Sequence, residues 1–313
     1  MKKDERGFAL LVALWLLVAL SVVGMQLAVR ARDGRRTSAN VQESARALAA
    51  ADAGVAHVRL LLDRRLREGA GTSPNAVLDP WVHLEWVLPD SQVMGGAAYG
   101  VRLRDAGSAL HLNRCTEDEL RRLLVALRVD AGEADRIAQA AMDWRDADDL
   151  HRGRGAERGA YLREGAAVLP RNGPFLTLGE LRHVRGVTPE IFALVRPHLT
   201  VLGTGRVNLN SAPAPVLLSL PGMGNEAVSL VLRRQRAGLP FGSIADIGPQ
   251  LSPGARDAFQ AEYGRLAART TTTTYEVEIR STGWPLRGRI RREVEALLVR
   301  GGTSTFLIGR RAP

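Results

Sequence analysis

The sequence predicts an α+β chain: one long N-terminal helix, an antiparallel sheet packed on it, and a large inserted all-α domain. Three observations carry this. Phe8 to Val29 is 22 residues without a charge, and apolar residues recur at helical spacing beyond it to Leu66 with no proline. Period-2 alternation appears near residue 100 and again after residue 275, so strands far apart in sequence are available to one sheet. Between them lies an internal repeat of helical character.

The organisation that follows is a seven-residue leader (1–7), an apolar membrane helix (8–29), the first part of a head (30–112), an inserted helical domain (113–270) and C-terminal strands (271–313). The two copies of the repeat span about 109–202 and 206–266.

Phe8–Val29 is long enough to cross a bilayer as a helix. A cleaved secretory signal fits poorly, because no A-x-A-like site follows closely and the apolar core is overlong. A plain signal anchor stays open, with nearly even flanking Lys and Arg that do not decide its orientation. The third reading rests on Gly7-Phe8: a short charged leader ending in Gly, then an aromatic residue and a long apolar helix, resembles a type IV prepilin. That resemblance implies cleavage after Gly7 by a membrane peptidase and methylation of the new amine of Phe8. The fifth residue of such a mature chain is usually a glutamate that docks onto the neighbour's terminal amine; here it is Val12. A bilayer carboxylate costs several kcal/mol unless paired. Its absence suits a subunit that begins a stack rather than extends it.

Past the bilayer, Val41, Ala45, Leu48, Ala49, Ala53, Val55, Val58 and Leu62 continue the helical pattern. Gly34 and Gly54 weaken it locally, and Glu68 to Pro74 ends it. Extended character is expected at Trp81–Leu88 and from Tyr99, then at Tyr275 and Gly288 on either side of a Gly-Trp-Pro-Leu turn.

In the insertion, Leu112-Asn113 and TEDELRRLL align with Asn208-Leu209-Asn210 and SAPAPVLLSL, and GPFLTLGEL at Gly173 aligns with LPFGSIADI at Leu239. The second copy's turn, Leu220-Pro-Gly-Met-Gly224, followed by Arg233, Arg234 and Arg236, resembles the helix-hairpin-helix motif, whose Gly-rich turn aims N–H groups at phosphate. Gly222, Gly224, Arg233 and Arg234 are therefore the candidate DNA-binding residues. Helix packing needs the same glycines, only one turn is intact, and nucleic acid is not the expected partner. Asp143, Asp146, Asp148 and Asp149 fall within seven residues, with Glu157 beyond. Loop carboxylates suit Ca²⁺. The EF-hand offsets are absent, and a solvated acidic loop paired with Arg145, Arg152 and Arg154 is the competing reading.

The net charge of +10 is compatible with nucleic acid, yet only Lys2 and Lys3 among 43 basic residues are lysines and 109–202 is neutral. The single Cys115 excludes an internal disulfide framework. No spacing of His, Ser or phosphate-loop type marks a catalytic set, so no enzyme is expected.

Taken together, RGFALLVALWLLVAL, DAGSALHLN, MDWRDADD, GAERGAYL, PFLTLGELRHVRGVTPE and RVNLNSAPAPVLLSLPGMG resemble the general secretion pathway protein K (GspK) family over nearly the whole chain. These are minor pseudopilins of the type II secretion system. The resemblance implies a pilin-like head, a prepilin peptidase and an inner-membrane platform as partners, and a complex with other minor pseudopilins at the pseudopilus tip. It also implies a single-pass inner-membrane protein with its head in the periplasm of a Gram-negative bacterium. Some members bind calcium; where the family often continues Gly-Ala-Glu-Asp, this chain has Glu157-Arg158. A membrane-anchored DNA-binding protein and a minor pilin of a type IV pilus are the alternatives.

Overall fold

The computed structural model describes residues 4–69, 81, 91–302 and 304–312, without the side chains of 4–12 and 69. Helix α1 (Asp4–Gly69) is unbroken over 66 residues, about 99 Å at 1.5 Å per residue. Its first half exposes Leu14, Trp15, Leu16, Leu17 and Leu20. Its second half buries Ala47, Ala51, Val58 and Leu62, a single stripe at i, i+4 and i+7 spacing.

That stripe lies on a five-stranded antiparallel sheet in the order β1 (Gln92–Met94), β2 (Ala97–Asp105), β7 (Glu276–Pro285), β8 (Arg292–Arg300), β9 (Thr305–Arg311). Val277, Ile279, Val294 and Leu298 complete the core between helix and sheet. Two glycines set the approach. A Cβ on Gly54 would meet Ser281 Oγ and the Tyr99 ring, and one on Gly283 would run into the α1 backbone at Ala47 and Ala51. The Gly54 that lowers helix propensity is thus what lets α1 lie flat on β7.

The strand expected at Trp81–Leu88 falls outside the described residues except for Trp81, which is buried. The Gly-Trp-Pro-Leu turn is corrected: Gly283, Trp284 and Pro285 remain in β7, paired with Tyr99, Ala98 and Ala97. Leu286 N then donates to Gly96 O at 3.0 Å. Pro285 is tolerated because β8 reaches back only to Gly283, so the ladder on that side has already ended. Strand β9 was not anticipated, although Thr305-Phe306-Leu307-Ile308 is a run of good strand formers.

The chain leaves the sheet at Asp105 and returns at Glu276; the sequence bounds 113–270 fall inside that interval. The excursion holds β3 (Leu110–His111), α2 (Glu117–Ala126), α3 (Ala131–Arg145), α4 (Arg158–Arg163), α5 (Pro189–Val195) and β4 (Leu199–Thr200). Then come β5 (Val207–Asn208), α6 (Ala214–Ser219), α7 (Asn225–Arg236), α8 (Pro253–Ala261), α9 (Tyr263–Arg269) and β6 (Thr270–Thr271). Each half opens and closes with a two-residue parallel pair, β3 with β4 and β5 with β6.

The halves repeat their hydrogen bonds as well as their order. Asn113 donates to Phe175 O (2.9 Å) and accepts from Phe175 N (2.8 Å); Asn210 does the same with Phe241 at 2.9 and 2.8 Å. Capping boxes at Thr177/Glu180 and Ser243/Asp246 start the 3₁₀ turn after each Phe. The turn between the paired helices carries a left-handed residue in both, Gly222 at φ 71° and Arg128 at φ 71°. At the base, Asp105 Oδ2 accepts from Asn208 Nδ2 (2.6 Å), Ser211 Oγ (2.7 Å) and Thr274 Oγ1 (3.1 Å), tying the end of β2 to the second half and to the returning chain. Burial raises the Asp105 pKa against these stabilising bonds.

Candidate functional site

The acidic cluster occupies the place where the two halves differ most. Between α7 and Phe241 the chain needs one short turn; between α3 and Phe175 it inserts a loop and α4. Beneath this insertion Trp144, on the last turn of α3, packs edge-on to Tyr161 (5.5 Å between centroids) and stacks on Phe175 (6.3 Å). Tyr161 Oη accepts from Arg185 N at 2.9 Å. The loop is therefore seated on an aromatic floor.

The five predicted ligands separate into two groups. Asp143 is fully buried, and Arg152 holds it with its Nη1 at 2.5 Å from Oδ1 and its backbone N at 3.2 Å from Oδ2. Gly155 makes this closure feasible, since a Cβ there would collide with the Asp143 carboxylate. Arg152 Nη1 also reaches Asp146 Oδ2 at 2.6 Å, and these two carboxylates raise its pKa further. Of the competing ion pairs, this one forms. Arg145 instead bonds the backbone oxygens of Leu112 and Cys115, and Arg154 pairs with Asp135 at 3.6 Å.

The second group is Asp146, Asp148 and Glu157, whose carboxylate oxygens lie within 4.8 Å of one another. Asp149 stands beside them, accepting from Asn172 Nδ2 at 2.9 Å. Asp146 Oδ1, both Glu157 oxygens and Asn172 Oδ1 are buried without a hydrogen-bond partner. Buried acceptors left so are costly. Burial and the neighbouring aspartates push the Glu157 pKa up to about 7. Three carboxylates converging with oxygens that lack donors suit a hard cation such as Ca²⁺, so the residues present fit one. Asn172, at φ 51°, was missed by sequence reasoning; the Asn172-Gly173 pair was the available turn signal.

Of the four hairpin residues, Gly222 and Arg234 make packing contacts. Gly222 lies against the α8–α9 junction, where a Cβ would meet Glu262 Cβ at 2.8 Å. Arg234 bonds Leu239 O (3.1 Å) and stacks on Phe241 at 4.5 Å. Gly224 has open space around its Cα, and Arg233 is exposed. Cys115 is buried, and burial pushes its thiol pKa up to about 11, far from a reactive thiolate. Gly7, Phe8 and Val12 lie in the backbone of α1. The described part of that helix includes an apolar stretch of mean hydropathy 1.8, long enough to cross a membrane and with none of it buried in the protein.

Residues 104–204, which include β3, the acidic cluster and β4, match the family described as type II secretion system (T2SS), protein K. Type II secretion system protein K of Pseudomonas aeruginosa is 26% identical over 303 residues, covering 90% of this chain and 83% of that protein. Over most of its length the chain is thus similar to type II secretion system protein K. The protein of that name from Aeromonas hydrophila is 27% identical over 234 residues, 67% of this chain and 68% of its own length. In fold, the chain superposes on one from the crystal structure of the GspK–GspI–GspJ complex of enterotoxigenic Escherichia coli. The TM-score is 0.67 at 19% identity, covering 89% of this chain and 99% of that one. The likeness in fold extends over the long helix, the antiparallel sheet and the helical excursion between β2 and β7.

Proposed function

We propose that the protein is a minor pseudopilin that caps the type II secretion pseudopilus. In this reading a prepilin peptidase cuts after Gly7, the apolar half of α1 stays in the inner membrane among the helices of its partners, and the head stands in the periplasm. The observation that carries it is the single helix α1, apolar and uncovered over its first half and the spine of the head over its second. Such a helix couples the position of the head to whatever packs around the membrane segment. Val12, where a stacking carboxylate is expected, supports a terminal place in the fibre. The protein of similar fold was crystallised with GspI and GspJ, which supports other minor pseudopilins as partners. The inner-membrane platform would deliver those subunits.

Calcium belongs to the same proposal. Asp146, Asp148 and Glu157 would hold it, with Asn172 contributing an amide oxygen, and Asp143 and Arg152 would brace the loop from behind. The ion would supply positive charge to oxygens that otherwise lack donors, and so fix the loop rather than perform chemistry.

Mass spectrometry of the N-terminal peptide, from protein purified out of its own membrane, tests the assignment. A peptide starting at Phe8 with an added methyl is expected. An intact Met1, or a cut beyond Val29, overturns it.

A further inference from the structure

Beside the acidic loop opens a cleft of about 1030 Å³, walled by α3, the loop, α4 and the turn at Arg185-Gly186. Its size is at the upper end of ordinary ligand sites, ~300–1,000 Å³. Five arginines line it: Arg136 from α3, Arg154 from the loop, Arg158 and Arg163 from α4, and Arg185. Two of them are partly neutralised, Arg154 by Asp135 at 3.6 Å and Arg185 by Glu164 at 2.8 Å. Arg136, Arg158 and Arg163 are exposed and make no ion pair with the described residues. Positive charge on this scale is notable in a half of the insertion whose overall charge is neutral.

We infer that this cleft binds an extended acidic segment of another polypeptide. Guanidinium groups present paired N–H donors that match a carboxylate, so several of them along one groove read a row of Asp or Glu side chains. Gly153, Gly155, Gly159 and Gly186 also line the wall, and the first of these has nothing within 4 Å of its Cβ direction. A main chain can therefore approach closely. Asp149 and Glu157 also reach the lining. Carboxylates there disfavour a continuous polyanion such as nucleic acid, whose every unit is charged. A peptide offers N–H groups between its acidic side chains. The charge complement thus selects a polypeptide of mixed polarity.

The test uses the full chain in nanodiscs of neutral lipid, with calcium held constant, and a fluorescein-labelled peptide of alternating Glu and Ser. Binding that weakens with salt is expected, and the double reversal Arg136→Glu with Arg158→Glu should lower affinity at least about tenfold. Both side chains are exposed, so the fold should persist, which an unchanged Tm would verify. Arg233→Glu, an equal reversal per site on exposed α7, should leave binding nearly intact, and Arg136→Lys with Arg158→Lys should retain part of it. Equal losses from the Arg233 and cleft variants would reduce the effect to net charge and overturn the proposal. So would no detectable peptide binding, or single-stranded DNA that competes as well per charge and is lost through the same cleft variants.

Discussion

The Arg269 guanidinium closes on the Glu119 carboxylate, Nε to Oε1 at 2.9 Å and Nη2 to Oε2 at 3.1 Å, joining the last residue of α9 to the first turn of α2. Glu119 is 4% exposed and also accepts from Thr116 N at 2.8 Å, as the capping partner that starts α2. One carboxylate therefore caps a helix of the first half and receives a cation from the second. Arg269→Ala would leave that charge buried and unpaired, a change that costs about 3–5 kcal/mol. Chemical unfolding should show this loss. Arg269→Met with Glu119→Gln, which removes both charges, should recover much of it.

Gly54 and Gly283 predict an effect opposite to helix propensity. Alanine is the better helix former by ~1 kcal/mol. Gly54→Ala should nevertheless destabilise the head by about 1–3 kcal/mol, because its methyl enters space held by Ser281 and Tyr99. Gly283→Ala should cost more, since its neighbours are the α1 backbone rather than side chains that can turn away. Thermal unfolding of the two variants, compared with Gly34→Ala where nothing lies within 4 Å, separates packing from propensity.

What could be read in advance follows from which forces are local. The apolar run, the helical spacing to Leu66 and the alternation at Tyr99 and Tyr275 are local signals, and they led to the long helix and to the pairing of β2 with β7. The repeat was legible because Asn113 and Asn210 each clasp a Phe, so the same few residues had to recur. Local signals failed where the partner is distant. Pro285 reads as a turn until its neighbour Ala97 is known, and Gly54 reads as a weakness until Ser281 is seen beneath it. At the acidic cluster the Asp spacing located the loop. It did not reveal that Arg152 takes Asp143 while Asn172, 26 positions beyond Asp146, donates to Asp149.

The clasps make their own prediction. Asn210 Nδ2 donates to Thr272 O at 2.8 Å as well as to Phe241 O, whereas among the described residues the Asn113 side chain bonds only Phe175. Each Asn→Ala leaves buried backbone groups without partners, at about 1–3 kcal/mol apiece. Asn210→Ala should be the more damaging. Amide hydrogen exchange at Phe241 and Phe175 would report each loss where it occurs.

Glu157 makes the acidic cluster pH-dependent, and the proposed calcium site predicts that the ion reverses the sign. Its pKa is raised from 4.5 to about 7, so the folded chain holds this proton over a range where the unfolded chain has released it. Without metal, that contribution to stability is fully present below about pH 4.5 and is lost as pH rises through about 7. Calcium and the proton compete for the same oxygens, so calcium affinity should rise through that window, and the stabilisation it gives grows with its excess over Kd. Thermal unfolding at pH 5.5 and pH 8 is the measurement. In EGTA the Tm contribution of this site should fall towards pH 8; with calcium it should rise. Glu157→Gln keeps the shape, removes the titration, and should abolish both trends within the window. Asp143→Asn should act differently, loosening Arg152 and lowering Tm at both pH values whether or not calcium is present, because Asp143 braces the loop from outside the proposed ligands.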